Sequence, residues 1–426
     1  MVALADHRRW GSRLPSRRRP KPLKDSIDWI LWGIPLGLCA LAGILIASTQ
    51  RQADYADWYQ HWLTAGVGMA IALLAARLPM DQLGLARWPI YILTNLSLLA
   101  VRFVGTSALG AQRWINIAGF HVQPSEFAKV AAILLLAGVL ARHPIERPVD
   151  VLRPMALISV PWALVFLQPD LGTSLVYGAI LLVMLYWAGL PASWLLLLLS
   201  PLFAAILSGV APWALGVWIP LMAWLAWRSL PWRRIGATIV CAVQALFAAI
   251  TPQLWQHGLK DYQRDRLVLF LDPAKDALGG GYHLLQSKVG IGSGGFWGTG
   301  LMHGQLTKLR FIPEQHTDFI FSALGEEMGF IGSTLIVVAY LVLCWRMLSI
   351  AMHARTDVES LVVVGVAAML MFQVVVNICM TIGLGPVTGI PLPWLSYGRS
   401  AMLVNFVSLG FCAAVSRRSR LSERWR

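Results

Sequence analysis

Apolar residues in this chain come in long runs, not in the narrow stripes of a soluble amphipathic protein. Runs near 29–48, 62–78, 88–104, 124–141, 154–168, 171–188, 192–210, 212–228, 235–251, 318–345, 360–383 and 400–416 are separated by short polar turns. A helix of about twenty apolar residues spans a hydrocarbon core, so the pattern predicts an all-α polytopic membrane protein with about twelve transmembrane helices. The pair at 192–228 is divided by a brief polar break and Pro212, and reads either as two crossings or as one tilted hairpin. The single long polar stretch, Pro252 to Thr317, is a loop before the third-last helix. The expected plan is a basic tail at 1–28, one transmembrane domain at 29–416 and a second basic tail at 417–426.

Charge gives this plan a direction. Only 13% of residues are charged against 57% hydrophobic, with twenty tryptophans, which excludes an ordinary soluble domain. The net charge of +14 concentrates at the two ends: Arg8, Arg9, Arg13, Arg17, Arg18, Arg19, Lys21 and Lys24, then Arg417, Arg418, Arg420, Arg424 and Arg426. Next to apolar spans, such tails fix a cytoplasmic side and meet anionic membrane lipids; nucleic acid is not the expected partner. The intervening turns agree. Arg77 and Arg87, Arg142 to Arg153, Arg228 to Arg234, and Arg346 with Arg355 all fall on the side of the tails, and one turn on that side, 188–193, lacks a basic residue. Both termini are thus expected inside. The first run is too long for a signal-peptide core and reads as a retained anchor. Cys39, Cys241, Cys344, Cys379 and Cys412 lie in apolar runs without metal-ligand spacing, so neither a disulfide nor zinc is expected.

The polar clusters then fall on the opposite, extracytoplasmic side. The first contains Arg113 and Trp114, then Gln123-Pro124-Ser125-Glu126 with Lys129. Pro124 suits a first helical turn, which makes Glu126 and Lys129 neighbours at i, i+3. They read as a structural ion pair, or as Glu126 orienting a lysine that joins Arg113 on an anionic headgroup or diphosphate. Asp170, in Gln168-Pro169-Asp170-Leu171-Gly172-Thr173, reads as a helix N-cap, or as an acid completing a polar cavity or holding a divalent cation. In the long loop, Gln286, Ser287 and Lys288 either contact phosphate or sugar or lie on a solvated amphipathic helix. Gly290, Gly292 and Gly295 match a dinucleotide fingerprint, but no strand precedes them, and that reading is rejected.

The densest cluster is Pro313-Glu314-Gln315-His316-Thr317-Asp318, at the mouth of an apolar run that carries Glu326 and Glu327. Thr317 reads as an N-cap that starts a helix at Asp318, where the dipole favours an ionised carboxylate. That carboxylate either caps its helix or serves as a general base. Glu326, two turns deeper, is expected to be neutral or paired with Lys or Arg. Asn377 and the segment Gly385 to Gly398, with Ser396 and Tyr397, break regular backbone at the same end of a span, as a wall of a wet cavity would.

Together these motifs resemble the shape, elongation, division and sporulation (SEDS) family of bacterial cell-wall polymerases. The resemblance rests on Arg113-Trp114-Ile115, Gln123-Pro124-Ser125-Glu126 with Lys129, Gln168 to Thr173, Pro313 to Phe321, Gly325-Glu326-Glu327 and Pro391 to Gly398. Gln286-Ser287-Lys288 and Pro313-Glu314-Gln315-His316 are more similar to the elongation (RodA) branch than to the division branch. The resemblance implies a peptidoglycan glycosyltransferase in the bacterial inner membrane. It would act on lipid II and the nascent glycan strand, with a class B penicillin-binding protein as transpeptidase partner. It places the essential aspartate at Asp318 and other sensitive positions at Arg113, Trp114, Glu126, Lys129, Asp170 and Glu314. His316, Gln286, Ser287, Lys288, Ser396 and Tyr397 are further candidates for substrate contact. Whether a divalent cation such as Mg or Mn takes part is open. Two departures stand out: a family pattern of ten spans leaves the pair at 192–228 as an inserted hairpin, and Arg399 replaces a glycine after Ser-Tyr-Gly. A lipid II flippase and a non-catalytic scaffold for the transpeptidase are the alternative functions.

Overall fold

The computed structural model describes residues 28–49, 58–108, 111–117, 120–258, 264, 269, 272–276, 281–309, 311–312 and 314–424. The tails at 1–27 and 425–426, with Pro313, lie outside the described residues. Each apolar run is a helix: α1 Trp29–Thr49, α2 Trp58–Ala75, α3 Met80–Val104, α4 Pro124–Arg142, α5 Leu152–Leu167, α6 Leu171–Trp187, α7 Ala192–Val210, α8 Leu215–Ser229 and α9 Arg233–Gln253. After two short loop helices, α10 Tyr282–Ser293 and α11 Gln305–Lys308, come α12 Ile320–Met352, α13 Asp357–Ile382 and α14 Arg399–Arg424. Among the described residues, nine helices are long and apolar enough to cross a membrane, with α6 a shorter apolar one. Each of the twelve expected runs holds a helix, but among the described residues the length and apolarity of a full span are met at nine, short of the expected twelve crossings. Among the described residues the fold is helical apart from a three-stranded antiparallel sheet, β1 Thr106–Ala108, β2 Ala111–Ile117 and β3 Phe120–Val122, between α3 and α4. No strand was expected there.

Burial separates a centre from a periphery. The apolar windows of α4 and α13 are 89% and 72% buried, whereas those of α7 and α9 are each 11% buried. Helices apolar all round belong either in a core or against lipid, and these two pairs show both cases. The expected hairpin at 192–228 is resolved into two helices, broken at Pro212–Ala214 by a 3-10 turn. They pack on α9 and on one another as a three-helix lobe around Leu197, Met222 and Ala226. Gln244 of α9 donates to the Ser200 hydroxyl (3.3 Å) and Trp194 to the Ser229 carbonyl (3.0 Å). The lobe therefore includes α9, one helix more than the sequence pattern isolates.

The stretch from Pro252 to Thr317 differs from an open polar loop. Its second half turns back against the bundle, burying Leu284, Ser287, Thr307, Ile312 and Gln315. Two acids of α12 hold it. Glu326 accepts from the Leu306 and Thr307 amides, both at 2.8 Å, and from the Thr307 hydroxyl at 2.6 Å. Glu327 accepts from the Met302 amide at 3.0 Å and from the Ser48 hydroxyl. Glu326 is thus held by backbone and hydroxyl donors, and of the two expected states, neutral or paired with Lys or Arg, these bonds show no cationic partner among the described residues. Next to these acids α12 breaks at Gly329 (φ 65°), and the Phe330 amide turns to the Gly295 carbonyl at 3.0 Å. A Cβ on Gly329 would lie 2.3 Å from the Gly298 nitrogen, so backbone contact here requires glycine.

Replacing Glu326 by Ala leaves buried N–H groups without acceptors, at about 1–3 kcal/mol each. The expected outcome is a protein that keeps its helices by circular dichroism yet is cleaved rapidly by protease between residues 299 and 309. Unchanged protease resistance there would mean that the carboxylate does not hold the segment.

Candidate active site

One end of the bundle gathers the starts of α4, α6, α12 and α14. Direct bonds join them: the Gln123 amide donates to the Ser400 hydroxyl at 3.0 Å, the Gln123 side chain to Asp170 at 3.4 Å, and the Tyr397 amide to the His316 carbonyl at 2.9 Å. Helix starts carry partial positive charge, so four of them at one end favour an anionic ligand. The opposite end carries a separate set of pairs, Arg346 with Asp28 at 2.7 Å and Arg418 with Glu359 at 3.3 Å.

Asp170 is the N-cap of α6. Its side chain accepts from the Thr173 amide at 3.1 Å and the Thr173 hydroxyl at 3.0 Å. It also faces Arg113, whose Nη1 lies 3.8 Å away while Nη2 donates to the Pro169 carbonyl. The two sequence readings of Asp170, cap and cavity acid, describe the same carboxylate. Arg113 and Trp114 are half-buried on β2, which explains why a strand is used: it carries both across the end of the bundle toward α6. Lys129 and Glu126 form a buried ion pair at 2.8 Å, with side chains 1% and 3% exposed. Both sequence readings of these residues, a structural pair or Glu126 orienting the lysine, require this contact. Glu126 Oε2 remains buried without a hydrogen-bond partner.

Asp318 sits in a turn, not in a helix. Residues 314–319 form successive turns, α12 starts at Ile320 and its N-cap is Phe319, so the expected helix start at Asp318 is corrected. The reason is local. Glu314 adopts φ 48°, and its carbonyl takes the Thr317 and Phe319 amides at 3.2 Å each. The Thr317 hydroxyl donates back to Glu314, at 3.0 Å to the carboxylate, instead of capping. A non-glycine residue in the left-handed region is strained, and such strain persists where surrounding contacts impose it. Asn377 imposes it from α13: its amide donates to the Asp318 and Ile390 carbonyls, both at 2.8 Å. The Asp318 side chain is half-buried, with Oδ2 3.4 Å from where Gly389 (φ 74°) would carry a Cβ.

Gly389 also ties the two acids together. It follows Thr388, whose carbonyl would lie 2.5 Å from a Cβ on Gly172, two residues after Asp170. The segment from Gly385 to Gly398 therefore runs between the Asp318 turn and the Arg113–Asp170 corner. His316 and Tyr397 flank it, with ring centroids 6.0 Å apart.

Glu314 is exposed and folded on its own turn, Gln286 is half-buried, and Lys288 is exposed on α10, with its stem against the left-handed turn at Gly383 that ends α13. The hydroxyls of Ser287 and Ser396 both bond within the scaffold. The Ser287 hydroxyl is 2.5 Å from that of Ser322 and donates to the Thr381 carbonyl, while the Ser396 hydroxyl accepts from the Leu392 amide at 2.8 Å. Among the described residues, no group of three or more His, Cys, Asp or Glu converges as a metal cluster. Gln60 and His61 are additional members of the site. Arg399 and the Tyr397 hydroxyl donate to Gln60, and the buried His61 ring stacks on Tyr397 at 6.3 Å. Apolar-run counting starts the second helix at residue 62, whereas α2 begins at Trp58 and brings both polar residues into its first turn.

Comparison with known proteins bears on this geometry. The FtsW, RodA and SpoVE cell cycle protein family matches residues 26–215 and 212–421, two stretches that meet at the α7–α8 break. The chain is 37% identical over 410 residues to the peptidoglycan glycosyltransferase MrdB of Escherichia coli K12, covering 94% of this chain and 96% of that one. It is 34% identical over 351 residues to the peptidoglycan glycosyltransferase RodA of Treponema pallidum, covering 76% and 81%. A solved structure described as a peptidoglycan synthase complex coordinating polymerization and crosslinking matches at TM-score 0.71 and 29% identity, covering 92% of this chain and 98% of that one. Thermus thermophilus RodA matches at TM-score 0.61 and 26% identity, with the same coverage.

Proposed function

This chain belongs to the FtsW, RodA and SpoVE (SEDS) family, and from that premise we propose how its clustered end polymerises glycan. It is a peptidoglycan glycosyltransferase, a multi-pass membrane protein similar along nearly its whole length to the elongation-type enzymes. The observation that carries the mechanism is the approach of Asp318 and the Arg113–Asp170 corner through the Thr388–Gly389 backbone.

In this reading the clustered end faces the extracytoplasmic side and both termini lie in the cytoplasm, as the distribution of arginines favours. Asp318 takes the proton from the 4-hydroxyl of the acceptor sugar. That oxygen attacks the anomeric carbon of the donor, a bond to the diphosphate breaks, and undecaprenyl diphosphate leaves. Passing from an α-linked diphosphate to a β-1,4 linkage inverts the centre, which needs one base and no covalent intermediate. Arg113 is the direct cation for the leaving diphosphate, Lys129 acts on it through the field of its buried pair, and the helix starts add to both. Trp114, His316 and Tyr397 supply faces for sugar rings. Were a Mg or Mn ion to take part, Glu126 Oε2, buried without a hydrogen-bond partner, would be the carboxylate oxygen to hold it, and the ion would supply screening of phosphate charge. A class B penicillin-binding protein takes the strand onward for crosslinking, as the similarity to a polymerization and crosslinking complex supports.

A flippase would need polar groups lining a path near the midplane. The strongest polar motifs gather at one end instead, and α4 carries no charged residue between Lys129 and Arg142, nor α13 after Glu359, which favours chemistry at that end. Purified protein in proteoliposomes is expected to convert lipid II into glycan chains resolvable on gels, without moving fluorescent lipid II between leaflets. Translocation without chain formation would reverse the assignment.

A further inference from the structure

At the opposite end of the bundle, a guanidinium is buried with no role in the chemistry above. Arg87 lies seven residues after the start of α3, about 10 Å along its axis, and three residues into the apolar window that begins at Gly84. It is 7% exposed, and its Nε is buried without a hydrogen-bond partner. Among the described residues no carboxylate pairs with it. A second cation, Arg142, ends α4 four residues past Gly138, the glycine on which Arg87 rests.

The seat is specific. Gly138, one turn before Arg142, lies under the guanidinium; a Cβ there would be 1.8 Å from Nη1 and 2.8 Å from Cζ. Below it, Tyr91, Leu135 and Val139 form an apolar floor with Leu157, and the Tyr91 hydroxyl donates to the Leu157 carbonyl at 2.5 Å. Leu85 and Trp88 on the same turns of α3 are exposed at 84% and 42%, so this mouth opens toward lipid and not into the bundle. A buried cation is stable when an anion is paired with it, and a second cation beside it raises that demand. A phosphate fits a guanidinium fork by two parallel hydrogen bonds.

We infer that Arg87, seated over Gly138, forms with Arg142 one turn further along α4 a binding site for a phosphate group at the inner rim of the membrane. The location, one turn inside the apolar window beside an interfacial tryptophan, favours the phosphodiester of an anionic phospholipid of the inner leaflet. A soluble phosphate supplies the same chemistry and is the other source.

The test is thermal unfolding of the purified full chain in a neutral detergent, titrated with phosphatidylglycerol, phosphatidylcholine or inorganic phosphate. Wild type is expected to gain stability with phosphatidylglycerol and not with phosphatidylcholine. Arg87→Met and Gly138→Ala are each expected to weaken that response about tenfold or more, the scale of one charge-assisted hydrogen bond. Gly138→Ala keeps every charge and fills the seat, so it reports on the site even where Arg87→Met fails to fold. Arg228→Gln, a basic rim residue lying over Trp224 in the lobe, is expected to respond as wild type. An equal gain with inorganic phosphate, lost in both seat variants, keeps the site and makes its occupant a soluble anion. Unchanged affinity in both seat variants overturns the proposal, as does a response that does not discriminate between lipids and is absent with phosphate.

Discussion

Asp318→Asn protein is expected to polymerise lipid II about 100- to 10,000-fold more slowly than wild type, the range a general base contributes. The same substitution is expected to leave the melting temperature within a degree or two, on the order of the small shifts of substitutions outside packed cores. One structural bond at this position runs from Asn377 to the Asp318 carbonyl, and Asn keeps it. Asn also preserves the size of a side chain placed 3.4 Å from the Gly389 position. The two readouts together separate chemistry from scaffold. Full-rate polymerisation by Asp318→Asn would remove the carboxylate from the reaction, and a large fall in melting temperature would reduce it to a turn-forming group.

Why Asp318 is legible in the sequence and its geometry is not follows from range. Residue type and proximity to an apolar run identify an acid that must be stabilised by something, and the motif resemblance narrows the choice to one carboxylate. Its backbone, however, is set by residues far along the chain. Asn377 reaches back 59 positions to hold its carbonyl, and the strained Glu314 turn displaces the helix start to Ile320. Helix capping preferences at Thr317 are worth about 1 kcal/mol, so such tertiary bonds override them. The same holds for Glu326. Its depth in a span argues for a neutral acid or a cationic partner, and what the sequence does not show is that its donors come from a loop 19 or 20 residues earlier that folds back on glycines. Twelve helices could be counted because apolar runs are a local property. The three strands bearing Arg113, the lobe that includes α9, and the polar first turn of α2 at Gln60 and His61 are products of packing, and run-counting misses them.

The buried pair of Lys129 and Glu126 gives the second large effect, because neither member can be removed alone. Lys129→Met strips the counterion from a carboxylate whose other oxygen already lacks a hydrogen-bond partner. Breaking a buried pair in this way costs about 3–5 kcal/mol. The single variant is therefore expected to unfold at much lower denaturant concentration and to lose polymerase activity. Adding Glu126→Gln removes the stranded charge, and the double variant is expected to regain most of the lost stability, since neutral replacement of a buried pair is often tolerated. Activity is expected to separate from stability at this step. The double variant has a folded bundle but no cation one turn into α4, so glycan synthesis stays well below wild type if the pair contributes its field to the departing diphosphate. Denaturant titration and lipid II polymerisation on the four members of the cycle decide it. Recovery of both properties in the double variant would make the pair a structural element of α4 and leave Arg113 as the cation at the diphosphate.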